Sequence, residues 1–338
     1  MTVAWGLLST ARVNRHIVNA AKMSRRADVV AVASRTPSRA ETYAREHAIE
    51  RAHGSYEALL ADEAVDAVYV SLPNSLHVEW TLRALEAGKH VLCEKPLSRD
   101  PDAVEQVFER AEERRLILSE GFMWRHHPQT AALVELTAEE MIGRLRLVRA
   151  AFGFDVAAVH GAQDVRLDPE LDGGALMDVG AYCVNAIRLL AGEPERVHAL
   201  QALGPSGVDV CFAATLALPD DVIAHFDAGF VLPRRAALEV VGEQGTLLVA
   251  EPWQPRAPAV EVGRRSRDDA VDWEQVPIDP ADSYLLELEN VSGAIRGETE
   301  LLVDREDALG QARVLEALHR SASTGAPVEL QPTTGGIR

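Results

Sequence analysis

Two stretches hold residues whose types and spacing could do chemistry. In HVLCEKPLS (90–98), Lys95 stands just past an apolar run that reads as a buried strand. Ligands of open α/β sheets bind at the C-terminal edge of the strands. A lysine partly desolvated there can act on a substrate hydroxyl or carbonyl. Pro96 fixes the backbone behind it. Taken alone, a lysine in such a place is more often an ordinary surface residue. The second stretch is DGGALMDVGAYCVNAIRLL (172–190). Asp178, Tyr182 and Asn185 fall at i, i+4 and i+7, so they form one polar stripe on an otherwise apolar helix. Gly173 and Gly174 leave room for something to approach the start of that helix. A buried structural Asp–Tyr pair would give the same pattern, but a buried carboxylate is costly without partners or a task.

A third stretch, GLLSTARVN (6–14), follows the first apolar run and has the shape of a dinucleotide-binding turn. Ser9, Ala11 and Asn14 occupy the slots where a G-x-G-x-x-G fingerprint has glycine. Serine and alanine are small enough to let backbone approach a pyrophosphate. Ser9 and Thr10 add hydroxyl donors, and the amides from Ala11 onward would face an anion at the opening of the helix. An ordinary strand-to-helix turn would look similar. The end of the second strand is more informative. A site for NAD wants an acid there, to accept from the ribose hydroxyls. ASRTPSRA supplies Ser34 and Arg35, with Arg39 one turn later. Two guanidiniums would grip a 2′-phosphate that a carboxylate would repel. Arg39 lies near a helix N-terminus, where the macrodipole disfavours a cation unless an anion is bound. Residues 1–51 carry nine Lys and Arg against four Asp and Glu, in a chain of net charge −18. NADP is therefore the expected cofactor, with NAD as the alternative.

These segments need elements to position them. The 338 residues suit two domains. Up to about residue 122, apolar runs alternate with helical patterns, as in βαβ units: VAWGLL, DVVAVAS, AVDAVYVSL, HVLCEK and LILSEGF. Thr36-Pro37, Asn74 or Ser75, and Asp100-Pro101 read as helix starts, and Gly88 as a helix end. Beyond 122, one strong helix (175–192) precedes strand-like segments separated by turns: RVHALQAL, VDVCFAATLAL, VIAHFDAGF, AALEVVG and GTLLVAE. Two helices, near 283–295 and 304–323, close the chain. The expected architecture is an α/β Rossmann domain (1–122) plus an α+β domain (123–338) with a large open, predominantly antiparallel sheet.

The acidic balance argues against nucleic acid or an anionic membrane as partner. The N-terminus does not read as a signal peptide, and no apolar run reads as a membrane span. Cys93, Cys183 and Cys211 are an odd number in apolar settings, as for buried reduced thiols in a cytoplasmic protein. No metal is expected: C-x-x-C and H-E-x-x-H are absent, and the adjacent His126 and His127 point in different directions.

Taken together, EKP at 94–96, LPNSLH at 72–77, FMWRHHPQ at 122–129 and GGALMDVGAYCVN at 173–185 make the whole chain resemble the glucose–fructose oxidoreductase/inositol dehydrogenase (Gfo/Idh/MocA) family. Having Tyr182 where many members have histidine resembles the branch with dihydrodiol dehydrogenase and NADP-xylose dehydrogenase. The resemblance implies hydride exchange between NADP(H) and a sugar, polyol or dihydrodiol-type substrate. It implies cofactor contacts from Ser9, Thr10, Ala11 and Arg12, from Ser34, Arg35 and Arg39, from Leu72, Pro73, Asn74 and His77, and from Glu94 and Lys95. Lys95, Asp178 and Tyr182 would be catalytic. Arg125 and Arg166 would join those three in binding substrate, with His126 and His160 as further pocket residues. Tyr182 would be the general acid/base and Lys95 its electrostatic partner, because a nearby ammonium lowers a phenol's pKa. The sheet face of the second domain would build a homodimer or a higher homo-oligomer. Two other readings stay open: a non-catalytic sensor with the same fold, which would have no need of Lys95 and Tyr182, and a cofactor-dependent glycosidase.

Overall fold

The computed structural model describes residues 2–138, 141–266 and 271–331. The chain opens with β1 (Val3–Leu8), α1 (Asn14–Met23), β2 (Ala27–Ala33), α2 (Pro37–His47), β3 (Arg51–His53), α3 (Tyr56–Leu60), β4 (Ala67–Val70), α4 (His77–Glu86), β5 (His90–Glu94), α5 (Pro101–Arg114) and β6 (Leu118–Gly121). All six strands pair in parallel, in the order β3-β2-β1-β4-β5-β6. Strand order reverses at β1, the switch point where doubly wound sheets bind ligand. Near-continuous apolar runs form these strands because both faces are covered, and β4 is buried at every position.

The second half contains α6 (Pro128–Ala138), β7 (Leu145–Gly153), α7 (Val156–His160), α8 (Ala181–Ala191), β8 (Arg196–Leu203), β9 (Asp209–Ala217), β10 (Ile223–Gly229), β11 (Arg235–Gly242), β12 (Gly245–Val249), β13 (Ala259–Arg265) and β14 (Val271–Pro277). Then come α9 (Ser283–Ile295), α10 (Arg305–Thr324) and β15 (Val328–Glu329). The nine-stranded sheet runs β14-β13-β12-β11-β7-β10-β9-β8-β15. Its neighbours are antiparallel except β7 and β10, which pair in parallel. In β8 to β10 burial alternates along each strand, so one face is covered and the other open.

Two compact units result. One comprises residues 1–126 and 282–309, the other 127–281 and 310 onward. The first break falls after His126. The return of 282–309 to the first unit departs from the expected 123–338 domain. The reason is burial: Leu288 and Val291 of α9 enter the core cluster of Trp5, Ile17 and Val18. The Trp5 indole donates to Ser292 at 3.1 Å, and the Ser119 hydroxyl to the Val303 carbonyl at 2.9 Å.

Several local expectations also change. Asp100 caps α5 as expected, accepting from the amides of Asp102 and Ala103. Thr36 makes no side-chain cap, and a 3₁₀ turn (Asn74–Leu76) precedes α4 in place of an Asn or Ser cap. The helix expected at 175–192 starts as a π turn, Leu176–Gly180, and continues as α8. The stretch 169–191 has the length and composition of a membrane-crossing helix, yet 78% of its apolar window is buried inside the protein. Cys93 and Cys183 are buried, whereas Cys211 is only half-buried.

Candidate functional site

At the switch point, Ser9 follows β1 with φ 145°, a backbone region that favours glycine. The turn has therefore kept the glycine conformation without the glycine, at a strain of about 1–3 kcal/mol. Hydrogen bonds hold Ser9 there. Its hydroxyl accepts from the Ala11 amide at 3.0 Å and lies 3.0 and 2.9 Å from the carbonyl and hydroxyl oxygens of Ser71, just past β4. The buried Asn14 amide group donates back to the Ser9 carbonyl at 2.8 Å, closing the slot of the third glycine. The expectation for the Ala11 amide is thereby corrected: it points at Ser9, because the serine brings its own acceptor. Thr10 is half-buried and Arg12 exposed.

At the end of β2, Ser34 is buried and its hydroxyl accepts from the Thr36 amide at 3.3 Å. Its role is to shape the turn, while Arg35 and Arg39 are exposed beyond it. Arg35 hydrogen-bonds the hydroxyl of Tyr56, whose pKa is raised by burial and partly restored by Arg35 and Arg39. Tyr56 in turn packs edge-on against Trp80, with ring centroids 4.9 Å apart. These residues fit a 2′-phosphorylated dinucleotide: the turn keeps its glycine geometry, the strand end has no carboxylate, and two exposed guanidiniums stand beside it.

Lys95 follows β5 and is 8% exposed. Its peptide bond to Pro96 is cis. Glu94 accepts from the Tyr69 hydroxyl. Glu120, 2% exposed, accepts from the Leu97 amide at 2.7 Å. The backbone around Lys95 is thus braced on both sides. Behind it, burial and then the Glu94 charge push the Glu287 carboxyl well above the usual carboxylate range. The His77 ring, expected against the cofactor, is buried between the Leu72 and Pro96 carbonyls, because both its nitrogens face backbone acceptors. Leu72 is buried, Pro73 and Asn74 half-buried. Arg125, expected to bind substrate, forms an ion pair with Asp307, and both side chains are mostly buried. Burial and Arg125 lower the His126 pKa to about 3, so that ring is neutral.

In the second unit, Asp178 lies in the π turn, so the i, i+4, i+7 stripe of a regular α-helix is broken before Tyr182. Asn185 is 1% exposed and belongs to the core. Arg166 donates from Nε to Asp178 Oδ2 at 2.7 Å and from Nη1 to Asp164 Oδ1 at 3.0 Å. Asp178 raises the Arg166 pKa further. Two expected substrate ligands are therefore each other's partner. Tyr182 is 8% exposed and packs beside Phe152 and Trp253, at 5.5 and 5.7 Å between centroids. His160 ends α7 edge-on to Phe154 at 5.8 Å. What approaches the start of the helix is Asp209, which the sequence reading missed. It accepts from the Leu176 amide at 2.7 Å, and a Cβ on Gly174 would overlap its carboxylate. Burial raises the Asp209 pKa to about 6. Among the described residues, no group of three or more His, Cys, Asp or Glu is placed to hold a metal.

A parallel sheet in this order, with a glycine-type turn at its switch point, defines the dinucleotide-binding class of Rossmann domains. Residues 6–122 match a family described as oxidoreductases with an NAD-binding Rossmann fold, and residues 130–248 match its C-terminal domain. The chain belongs to this Gfo/Idh/MocA oxidoreductase family. It is 39% identical to D-xylose 1-dehydrogenase (NADP(+)) 2 of Haloferax volcanii, over 96% of this chain and 99% of the relative. It is 33% identical to trans-1,2-dihydrobenzene-1,2-diol dehydrogenase of Sus scrofa, over 75% and 76% of the two chains. The crystal structure of a 3-ketoreductase from Actinomadura kijaniata, in complex with NADP and TDP-benzene, superposes with a TM-score of 0.88. It is 32% identical, and the match covers 95% of this chain and 98% of that one. Structures of that ketoreductase also include a tyrosine-to-phenylalanine and a lysine-to-alanine variant.

Proposed function

We propose that this oxidoreductase exchanges a hydride between NADP(H) and a CH–OH or carbonyl carbon of a sugar, polyol or dihydrodiol. When bound, the nicotinamide takes up or supplies the hydride. Arg35 and Arg39 hold the 2′-phosphate, and the turn at Ser9 faces the pyrophosphate. Tyr182 takes the proton from the substrate hydroxyl in oxidation and returns it in reduction. The Lys95 ammonium favours the phenolate form of Tyr182. Asp178, fixed by Arg166, orients substrate. The observation that carries this reading is Lys95 itself: a lysine 8% exposed at the ligand-binding edge of the sheet, on a backbone braced through Glu94 and Leu97. The relatives named above, an NADP-dependent xylose dehydrogenase, a dihydrobenzenediol dehydrogenase and a 3-ketoreductase with bound NADP, support the cofactor and the substrate class. Nicotinamide absorbance with a panel of aldoses, ketoses and trans-dihydrodiols tests it. No turnover of any member with either cofactor would reject it.

The open face of the nine-stranded sheet supports a homo-oligomer. Leu200, Ile223 and Trp273 are 67%, 50% and 51% exposed on β8, β10 and β14. The face is less apolar than the sequence suggested, because His198, Thr215 and His225 share one row across β8, β9 and β10. Light scattering at micromolar concentration should give at least twice the chain mass, and a monomer would count against this use of the sheet.

A further inference from the structure

The loops that follow β4 and β5 lie side by side, because the two strands are parallel neighbours with Val70 opposite Cys93. His77, the first residue of α4, sits between these loops with 1% of its surface exposed. Its Nε2 is 2.8 Å from the Leu72 carbonyl oxygen, and its Nδ1 is 2.8 Å from the Pro96 carbonyl oxygen. A carbonyl oxygen can only accept, so each contact requires a hydrogen on the ring nitrogen. A neutral imidazole has one N–H. Whichever nitrogen carried it, the other would set its lone pair against a carbonyl in a place closed to water. The imidazolium donates to both, and charge-assisted bonds offset part of the cost of burying the cation.

We propose that His77 is held as an imidazolium that ties the Leu72 carbonyl to the Pro96 carbonyl and so positions Lys95. The proposal rests on the reading of Lys95 as a working residue. His77 touches neither substrate nor reacting atoms in this role; it is a positioning residue. Pro96 and Leu97 follow Lys95 directly, so the Pro96–His77 bond and the Leu97–Glu120 bond fix the backbone from which the lysine side chain starts. The other end of the brace, Leu72, belongs to the loop with Pro73 and Asn74. His77 therefore sets the spacing between the Asn74 loop and the lysine loop.

The protonation state can be read without cofactor or substrate. With ring-¹⁵N-labelled histidine, the eleven histidines are observed in the unliganded protein at neutral pH, and His77 is assigned by its absence in His77→Gln. Both His77 nitrogens should show protonated-type shifts and slowly exchanging N–H protons. One nitrogen with a lone-pair shift would overturn the imidazolium. If His77→Gln does not fold, through-space contacts from Leu72 and Pro96 assign the ring in the unmodified protein. The positioning role is tested by kinetics. Glutamine offers one donor and one acceptor where two donors are needed, so His77→Gln should lower kcat roughly 10- to 100-fold while KM for NADP changes by less than about threefold. An unchanged kcat overturns the positioning role. Lys95→Ala, run alongside, separates the two ideas: full turnover there rejects the reading of Lys95 itself, whatever the ring spectrum shows.

Discussion

The Arg166 guanidinium donates from Nε to Asp178 Oδ2 at 2.7 Å. Tyr182 stands one turn further along the same helical segment, so this ion pair fixes the carboxylate nearest to it in sequence. Asp178 is thereby held in one orientation. Arg166→Gln should therefore reduce turnover through Asp178. Asp178→Asn, Arg166→Gln and the double variant should show a coupling energy of about 0.5–3 kcal/mol, measured from kcat/KM. Purely additive effects would mean that the pair does not act together in the reaction.

Cofactor choice should depend on the end of β2. Arg35 is exposed, and the Tyr56 hydroxyl orients it. A charge-assisted contact contributes about 1.5–3 kcal/mol, so Arg35→Ala should raise the KM for NADP at least about tenfold. The KM for NAD should stay within about twofold, since NAD lacks the phosphate that the arginine grips. Equal loss with both cofactors would show that Arg35 supports the fold and does not read the 2′-phosphate.

Asp209 gives a pH-dependent stability term whose sign is fixed by burial. Its carboxyl titrates near 3.8 when free and about 6 in the folded protein. The native state then holds the proton more tightly than the unfolded chain. This contribution is present below the lower value and is lost as pH rises through the upper one. Asp209→Asn removes the titration. The stability of the variant relative to the unmodified protein should rise by about 2–3 kcal/mol from about pH 4 to about pH 7. Urea denaturation at several pH values measures it, and a constant difference would contradict the assignment. Gly174→Ala should destabilise at any pH, because φ is +123° there and the added Cβ would overlap the Asp209 carboxylate.

Much of the first unit was legible because doubly wound strands must be continuously apolar. β1, β2 and β5 fall within a residue of the runs read from the sequence. β3 escaped because it has three residues and no apolar run. β7, the central strand that pairs with both β10 and β11, escaped for a different reason. Arg146 and Arg149, three apart and so on opposite faces of the strand, pair with Glu243 and Glu239, so charge falls on both faces and the clean alternation of a half-buried strand is lost. Candidate residues could be named from the sequence, since strand ends and helix starts are marked there. Their partners could not. Arg166 to Asp178, Glu120 to Leu97 and Asp209 to Leu176 are pairings across folded distance. The one local hint was Glu120, a carboxylate inside an apolar strand, which had to have a buried donor. The return of 282–309 to the first unit was hidden because an amphipathic helix announces a buried face without naming what covers it.

The proton-transfer assignment makes the sharpest prediction. A free tyrosine titrates near ~10, too high for easy exchange at neutral pH. An ammonium within a few ångströms stabilises the phenolate, so the reading needs Lys95 and Tyr182 to act as one unit. Tyr182 packs its ring beside Phe152 and Trp253, and Tyr182→Phe keeps the ring while removing only the hydroxyl. Folding and NADP binding should survive this change, checked by thermal melting and by fluorescence titration with NADPH. Turnover should fall by roughly 10²–10⁴, the usual effect of a lost proton-transfer group. Lys95→Ala should be at least as damaging. The double variant should be little worse than either single one, because groups that act together are lost together. If Tyr182→Phe kept near-normal turnover with chemistry as the slow step, the acid/base role would pass to Lys95 alone or to His160. A double variant whose losses multiplied would mean that the two residues serve separate steps.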